Sequence, residues 1–458
     1  MLKKKNFIML VLLILIGALL FYTGKISQKP RIELYPPGVV PERIMLTWND
    51  SVYNTQTVTW RTDSTVHVGC AEIAPAAESA EEITDIKRIT AHTRTYSSEV
   101  NTANYHTAKF TGLKPGTQYV YRVGDGKTWS EWFQFTTANK EAKDFSFLYY
   151  GDVQEGIKQH GSRVIRKGYA SCPNAAFMLF AGDMVDHPYD NDFGEFFYAG
   201  DWLFASTPII ALAGNHEYKR NVPGGLGDIW KYQFNFPQNG PEGLKSTVYY
   251  IDYQGVRIIV LDTEGMKHLP GTFNKQSEWL ESVLRNNPNQ WTIVAMHHPV
   301  FSNSGGRDNP RVRKHLKPIF DKYNVDLVLE GHDHSYGRTE FKGSDGHEGP
   351  VYVITNAGPK MYDLGFTPQM KRLASRTQLY QVIDVTHNSI HFSSYTATGK
   401  LYDAFMLNKA SNGKKTLVNQ IPSNEPERVG LSKLLRDRFS KKQIEEYNKK
   451  VKERTGKD

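Results

Sequence analysis

Hydrophobic and polar positions follow two different rhythms along this chain. From residue 44 to 137 they alternate in short segments, IMLTW (44–48), TVTWRT (57–62), TAKFTGL (107–113), TQYVYRVG (117–124) and WFQFTT (132–137), with Pro, Gly, Asn and Asp between them. A period of two turns one side of a strand inward and the other outward. With no helical spacing in between, residues 41–139 read as a small all-β sandwich. After Lys143 the rhythm changes to solid apolar runs: FSFLYY (145–150), AFMLFA (176–181), PIIALAG (208–214), VRIIVLD (256–262), WTIVAM (291–296), VDLVLE (325–330) and VYVIT (351–355). Such runs are strands covered on both faces. Segments 157–170, 190–204, 275–286 and 311–323 carry helix-like patterns between them, so residues 144–400 read as an α/β domain. Residues 401–458 are set apart as a charged tail. It is helical over 430–454, where acid–base pairs recur at helical spacing, and its mixed charges favour a solvated helix.

The chain start adds a third pattern. Lys3, Lys4 and Lys5 precede an uncharged run, residues 7–22. Positive charge before a long apolar segment marks residues 1–24 as a signal anchor, or secondly a cleaved signal peptide, with residues 25–40 a Pro- and Gly-containing linker. Either reading puts the folded part outside the cytoplasm, and the uncleaved form ties it to the membrane. These three lysines and residues 425–458, with 11 Lys/Arg against 7 Asp/Glu, hold most of the formal charge of +8. A nucleic-acid partner is therefore not expected, because its basic patch would lie on the folded body. The two cysteines, Cys70 and Cys172, do not make a disulfide framework.

The residues that end the apolar runs carry the chemistry. The runs stop at Gly151-Asp152-Val153-Gln154, Gly182-Asp183-Met184-Val185-Asp186, Gly214-Asn215-His216-Glu217, His297-His298-Pro299 and Gly331-His332-Asp333-His334. Five strands thus place Asp, Asn or His just past their carboxyl ends, where α/β sheets bind ligands. Carboxylate, imidazole and amide oxygen without thiolate suit borderline-hard metal ions. Any one of these stretches alone is an ordinary turn or a surface pair. Five together at successive strand ends indicate a metal centre.

This order of motifs resembles the calcineurin-like metallophosphoesterase superfamily, and more closely its purple acid phosphatase-like members. The stretches TGLKPGTQYVYRVGDG (111–126) and WSEWFQFTT (129–137) are similar to the family's fibronectin-III-like N-terminal domain, and EGHDHSYGR (330–338) to its last catalytic motif. The resemblance implies an α/β/β/α layered catalytic domain holding two metal ions. Asp183 would bridge them. Asp152 and His334 would complete the first site, and Asn215, His297 and His332 the second. His216 would protonate the leaving oxygen, and His298 and Arg338 would hold a phosphate oxygen or support the ligands. The implied reaction is hydrolysis of a small phosphate monoester by metal-bound hydroxide. A phosphodiesterase or nucleotide hydrolase on the same core is the alternative, and a non-catalytic surface binding protein a more distant one.

Two positions depart from the family. Purple members carry an iron-binding tyrosine three residues after the bridging Asp, where this chain has Asp186. Many relatives outside the purple group carry His two residues after the first Asp, where this chain has Gln154. Both are candidate metal ligands, or residues that orient ligands, and Asp186 reads equally as a solvated loop acid. Without phenolate an iron(III) site is not expected, and Fe, Mn or Zn all suit the remaining donors.

Overall fold

The computed structural model describes residues 32–219, 222, 224–340 and 349–456. The expected anchor segment lies outside these residues. Strands β1 (Glu42–Thr47), β2 (Thr55–Asp63), β3 (Cys70–Pro75), β4 (Lys87–Thr90), β5 (His92–Ser97), β6 (Thr102–Thr111), β7 (Gln118–Gly124) and β8 (Phe133–Thr136) come first. They form two four-stranded sheets, β1-β2-β6-β5 and β4-β3-β7-β8. The alternation seen in sequence sends Leu46, Val58, Trp60, Phe110, Tyr121 and Phe135 into one shared core.

Fourteen strands follow: β9 (Phe145–Tyr150), β10 (Met178–Phe180), β11 (Ile209–Ala211), β12 (Tyr249–Tyr253), β13 (Val256–Leu261), β14 (Trp291–Met296), β15 (Leu327–Glu330), β16 (Tyr336–Thr339), β17 (Val351–Ile354), β18 (Met370–Ala374), β19 (Leu379–Val385), β20 (Ser389–Thr396), β21 (Leu401–Lys409) and β22 (Lys415–Asn419). They make two seven-stranded sheets, β11-β10-β9-β19-β20-β21-β22 and β12-β13-β14-β15-β17-β16-β18. A single apolar cluster joins residues of both, including Phe147, Tyr149 and Leu179 from one and Ile258, Ile293 and Leu329 from the other. A second cluster packs the helices Thr272–Arg285 and Pro310–Lys322 on the other sheet's outer face. β9, β10 and β11 are mutually parallel, as are β13, β14, β15 and β17. Parallel strands point their carboxyl ends the same way, which gathers the polar stretches that follow them.

Three expectations are corrected. Residues 401–419 are not tail: they form β21 and β22 at the edge of the first large sheet. Tyr402, Phe405 and Leu407 are buried there, and Lys409 and Lys415, which looked like tail charges, turn inward to Asp326 at 2.9 and 3.4 Å. The solvated helix over 430–454 is two helices, Lys433–Arg438 and Lys441–Thr455, the second opened by a Ser440–Gln443 capping box. One side of it docks: Tyr447 is buried, its hydroxyl donates to the Val429 carbonyl at 2.9 Å, and Ile444 and Val451 pack beside Leu364 and Met370. The described part of the linker is tied down as well. Leu34 N–H donates to Asn191 Oδ1 at 2.9 Å, and the Asn191 amide returns a bond to the Ile32 carbonyl at 2.8 Å.

The sandwich is bound to the α/β part through a buried ion cluster. Asp190, at the start of the helix Asp190–Gly200, accepts from Arg43 Nη1 and Nη2, each at 2.9 Å, and from Arg61 Nη1 at 2.8 Å. Burial pushes the Asp190 carboxyl up, but Arg43 and Arg61 outweigh it and hold the group below the usual carboxylate range. A carboxyl held low stabilises the fold above its unfolded pKa, and the gain disappears as pH falls through the lower folded value. Asp190→Ala strands two buried guanidinium groups and is expected to cost about 3–5 kcal/mol at pH 7 by chemical denaturation. The gap to wild type should narrow below about pH 4.

Candidate metal centre

The five polar stretches converge. Asp152 follows β9, Asp183 follows β10 and Asn215 follows β11, all of one large sheet, while His297 follows β14 and His332 follows β15 of the other. The centre thus spans the line where the two sheets meet. Tight turns make this possible. Gly182 has φ +81°, and a Cβ there would meet Gly214 N at 2.7 Å and His297 Nδ1 at 2.8 Å. A Cβ on Gly214 would strike Asp183 Oδ1 at 2.2 Å, so neither position tolerates a side chain. Asp152, Asp183, His332 and His334 also hold positive φ, at 47°, 50°, 73° and 46°. Left-handed backbone at non-glycine residues is held only where the surroundings enforce it, and it concentrates at functional sites.

Asp183 belongs to two donor sets. Ligand atoms of Asp183, His297 and His332 lie within 4.8 Å of one another, and so do those of Asp152, Asp183 and His334. Asn215 Oδ1 lies 3.2 Å from His297 Nε2, beside the first set. His297 Nδ1 faces the Ala181 carbonyl at 2.9 Å, so it carries the proton and leaves Nε2 free for a ligand. His334 Nδ1 faces the Lys360 carbonyl at 3.3 Å, with the same result. The electrostatics show what is missing. Burial raises the Asp152 carboxyl well above the usual range, His297 opposes this, and Asp183 adds to it. Both Asp152 oxygens are buried without a hydrogen-bond partner among the described residues. Burial would lower the His297 imidazole, but Asp183 and Asp152 raise it to about 10. Burial takes the His334 imidazole down to about 3. Unpartnered buried carboxylate beside dry imidazole is costly for protein alone, and it fits cations held by oxygen and nitrogen. The residues present therefore fit two metal ions that share Asp183.

Other groups hold these ligands in place. Glu217 is buried, and its carboxylate accepts the N–H groups of Asp183 (2.9 Å), Met184 (2.8 Å) and Gly214 (2.7 Å). It ties the turn after β10 to the turn after β11. Asp333 does the same for the loop after His298, accepting from Ser302 Oγ at 2.8 Å, Asn303 N at 2.5 Å and Ser304 N at 3.2 Å. The sequence reading gave neither acid a role. Their position inside ligand motifs, between or beside metal-type residues, was the available signal. Gln154 reaches the centre: its amide lies 3.0 Å from Asp183 Oδ2 and 2.9 Å from His334 Nε2. His216 N–H donates to Asp183 Oδ1 at 2.9 Å, and His216 Nδ1 lies 2.6 Å from the Asp186 carbonyl oxygen, so Nδ1 carries the proton. The other ring nitrogen, Nε2, stands 4.0 Å from Asp183 Oδ2. A cavity of about 600 Å³ opens here, lined by His216, Asn215, Asp186, Tyr189, Lys219 and Glu264 among others.

Three candidates take other roles. Asp186 is outside both donor sets among the described residues, and its carboxylate accepts the Glu155 N–H, which ties it to the turn after β9. Arg338 does not face the cavity: it is fully buried in β16, with Nε and Nη2 on the two Asp403 oxygens at 2.7 and 3.1 Å. Asp403 comes from β21 of the other sheet, so this pair joins the sheets. His298 is also fully buried, with Nδ1 2.9 Å from Thr263 Oγ1 and its ring 4.2 Å from that of His332, which leaves it supporting a ligand and out of a substrate's reach.

Known proteins are similar to this chain over both of its parts. Residues 41–137 match the model of the purple acid phosphatase N-terminal domain, and residues 145–336 that of the calcineurin-like phosphoesterase. An acid phosphatase type 7 from Danio rerio is 26% identical, over 82% of this chain and 93% of its own length. A purple acid phosphatase from Glycine max is 26% identical over 78% of this chain and 82% of its own length. The solved structure of a purple acid phosphatase from seeds of yellow lupin (Lupinus luteus) superposes with a TM-score of 0.71 at 18% identity, covering 83% of this chain and 76% of that one. The Glu217 bracket gives a direct check. Glu217→Ala leaves three buried N–H groups without acceptors and is expected to lower stability by about 3 kcal/mol or more in denaturant titration, while Glu217→Gln, which keeps one acceptor, loses less.

Proposed function

This chain is a purple acid phosphatase-like member of the calcineurin-like metallophosphoesterases, a metal-dependent phosphoric ester hydrolase, and we propose that it hydrolyses small phosphate monoesters outside the cytoplasm. The observation that carries this reading is Asp183, the single buried carboxylate shared by both donor sets. Asp152 and His334 would hold the first ion, and Asn215, His297 and His332 the second, with Asp183 between them. When bound, two cations supply Lewis acidity and offset the charge of the phosphate.

The chain's own groups do the rest. His216 Nδ1–H is anchored on the Asp186 carbonyl, which turns Nε2 toward the cavity. From there Nε2 gives its proton to the departing alkoxide. Glu217 and Asp333 keep the ligand-bearing turns from relaxing, so the ligands stay at their spacing when no ion is bound. Gln154 holds its Nε2 beside Asp183 Oδ2 and His334 Nε2, and turning the amide over would bring its unpartnered oxygen to the first site. The cavity of about 600 Å³ beside His216 has room for the leaving group of a phosphate ester.

Export rests on Lys3–Lys5 and the apolar run 7–22, which precede a linker; retention on the membrane follows if that segment is uncleaved. Among the described residues no helix is long and apolar enough to cross a membrane.

Two assays test the reading. Purified protein is expected to turn over p-nitrophenyl phosphate faster than bis-p-nitrophenyl phosphate, and a strong preference for the diester would overturn it. Asp183→Asn is expected to lower both metal content and turnover by about a thousand-fold or more in rate, since one change weakens both sites. A variant with near-normal rate would remove Asp183 from the bridging role.

A further inference from the structure

Arg338 leaves the centre without the cation that the sequence suggested for the phosphate, and the guanidinium that lies there belongs to Arg307. Asp333 and a turn place it. The Asp333 carboxylate pins Ser302, Asn303 and Ser304, and the chain then folds back through Gly306 at φ +72°, closed by the Arg307 N–H on the Ser304 carbonyl at 3.2 Å. The Arg307 side chain turns back toward His332 and Tyr362. Nη1 donates to the His332 carbonyl at 3.0 Å, and the guanidinium lies 4.4 Å from the centre of the Tyr362 ring. That ring is 4.6 Å from the ring of His334. The guanidinium therefore borders the outer edge of the centre from His332, in one donor set, toward His334, in the other.

Its charge is poorly neutralised. Among the described residues the one carboxylate oxygen within salt-bridge distance is Asp333 Oδ1, at 3.9 Å, and the side chain remains 34% exposed. Nε and Nη2 have no hydrogen-bond acceptor there. A planar fork with free donors, stacked on an aromatic ring and facing solvent beside a metal centre, matches two oxygens of a phosphate.

The geometry points to Arg307 as the residue that grips the phosphate oxygens of substrate and product. This rests on the phosphoesterase reading of the same centre. The competing explanation is that Arg307 only steadies the His332 backbone, and the two separate by experiment. Full-length wild type, Arg307→Ala and Arg307→Lys are compared for inhibition of p-nitrophenyl phosphate hydrolysis by inorganic phosphate, for KM, and for metal content. Arg307→Ala is expected to raise both the phosphate inhibition constant and KM by about ten-fold or more with metal content unchanged, and Arg307→Lys to recover part of the loss. An inhibition constant within two-fold of wild type would overturn the assignment. Loss of metal in both variants alongside the loss of phosphate affinity would also overturn it, in favour of the backbone role. If wild type binds metal but hydrolyses no ester, the proposed function fails separately, and calorimetric titration of the metal-loaded proteins with inorganic phosphate still reads Arg307.

Discussion

The structure turns on one buried charge. A carboxylate withdrawn from water is tolerable only where positive charge or several donors meet it. Asp183 is 1% exposed and sits where two sheets converge, with the His297 imidazole of the opposite sheet at 3.3 Å and the His216 imidazole of its own sheet at 4.0 Å. Burial pushes its carboxyl up, and His297 and His216 more than reverse that, holding it well below the usual range. For Asp152 the same His297 opposes burial but does not reverse it, and neither oxygen has a hydrogen-bond partner among the described residues. Much of the surrounding architecture serves to keep these groups in place: glycines where no Cβ fits, left-handed backbone at four ligand positions, and Glu217 and Asp333 bracketing the turns. The protein is thus built to hold donors at fixed spacing before any ion arrives, which is the condition for tight and selective binding.

The two sheets must not slide if ligands from both are to converge. Among the described residues, three ion pairs cross between them. Arg338 on β16 pairs with Asp403 on β21, and Lys409 on β21 and Lys415 on β22 pair with Asp326, just before β15. The docked helix Lys441–Thr455 adds a brace, because the Leu364 N–H donates to the Tyr447 hydroxyl at 3.4 Å and Leu364 bridges to Ser304 beside the Asp333 loop. Residues that look peripheral in the chain therefore brace the centre.

The strands and the polar residues at their ends were legible because they rest on local signals, while the layer order and the grouping of the ligands came only with the family resemblance. An apolar run shows a buried strand, and a polar residue after it marks the carboxyl end. What was hidden depends on distant partners. Arg338 lies close behind a ligand motif and looks like substrate machinery until Asp403, 65 residues away, is placed on it. Lys409 and Lys415 read as tail charges because Asp326 is more than 80 residues distant. Asp186 stands in a tyrosine's place and invited a ligand role, yet its nearest donor is a backbone N–H from the neighbouring turn. Arg307 sits in a loop with no periodicity to orient it, and only the fold shows where its side chain returns.

Anomalous diffraction from crystals of the full-length protein tests the central claim most directly. Two metal peaks per chain are expected, one on each side of the Asp183 carboxylate, the first contacted by Asp152 and His334 and the second by Asn215, His297 and His332. A single peak, none, or peaks that share no Asp183 oxygen would contradict the account.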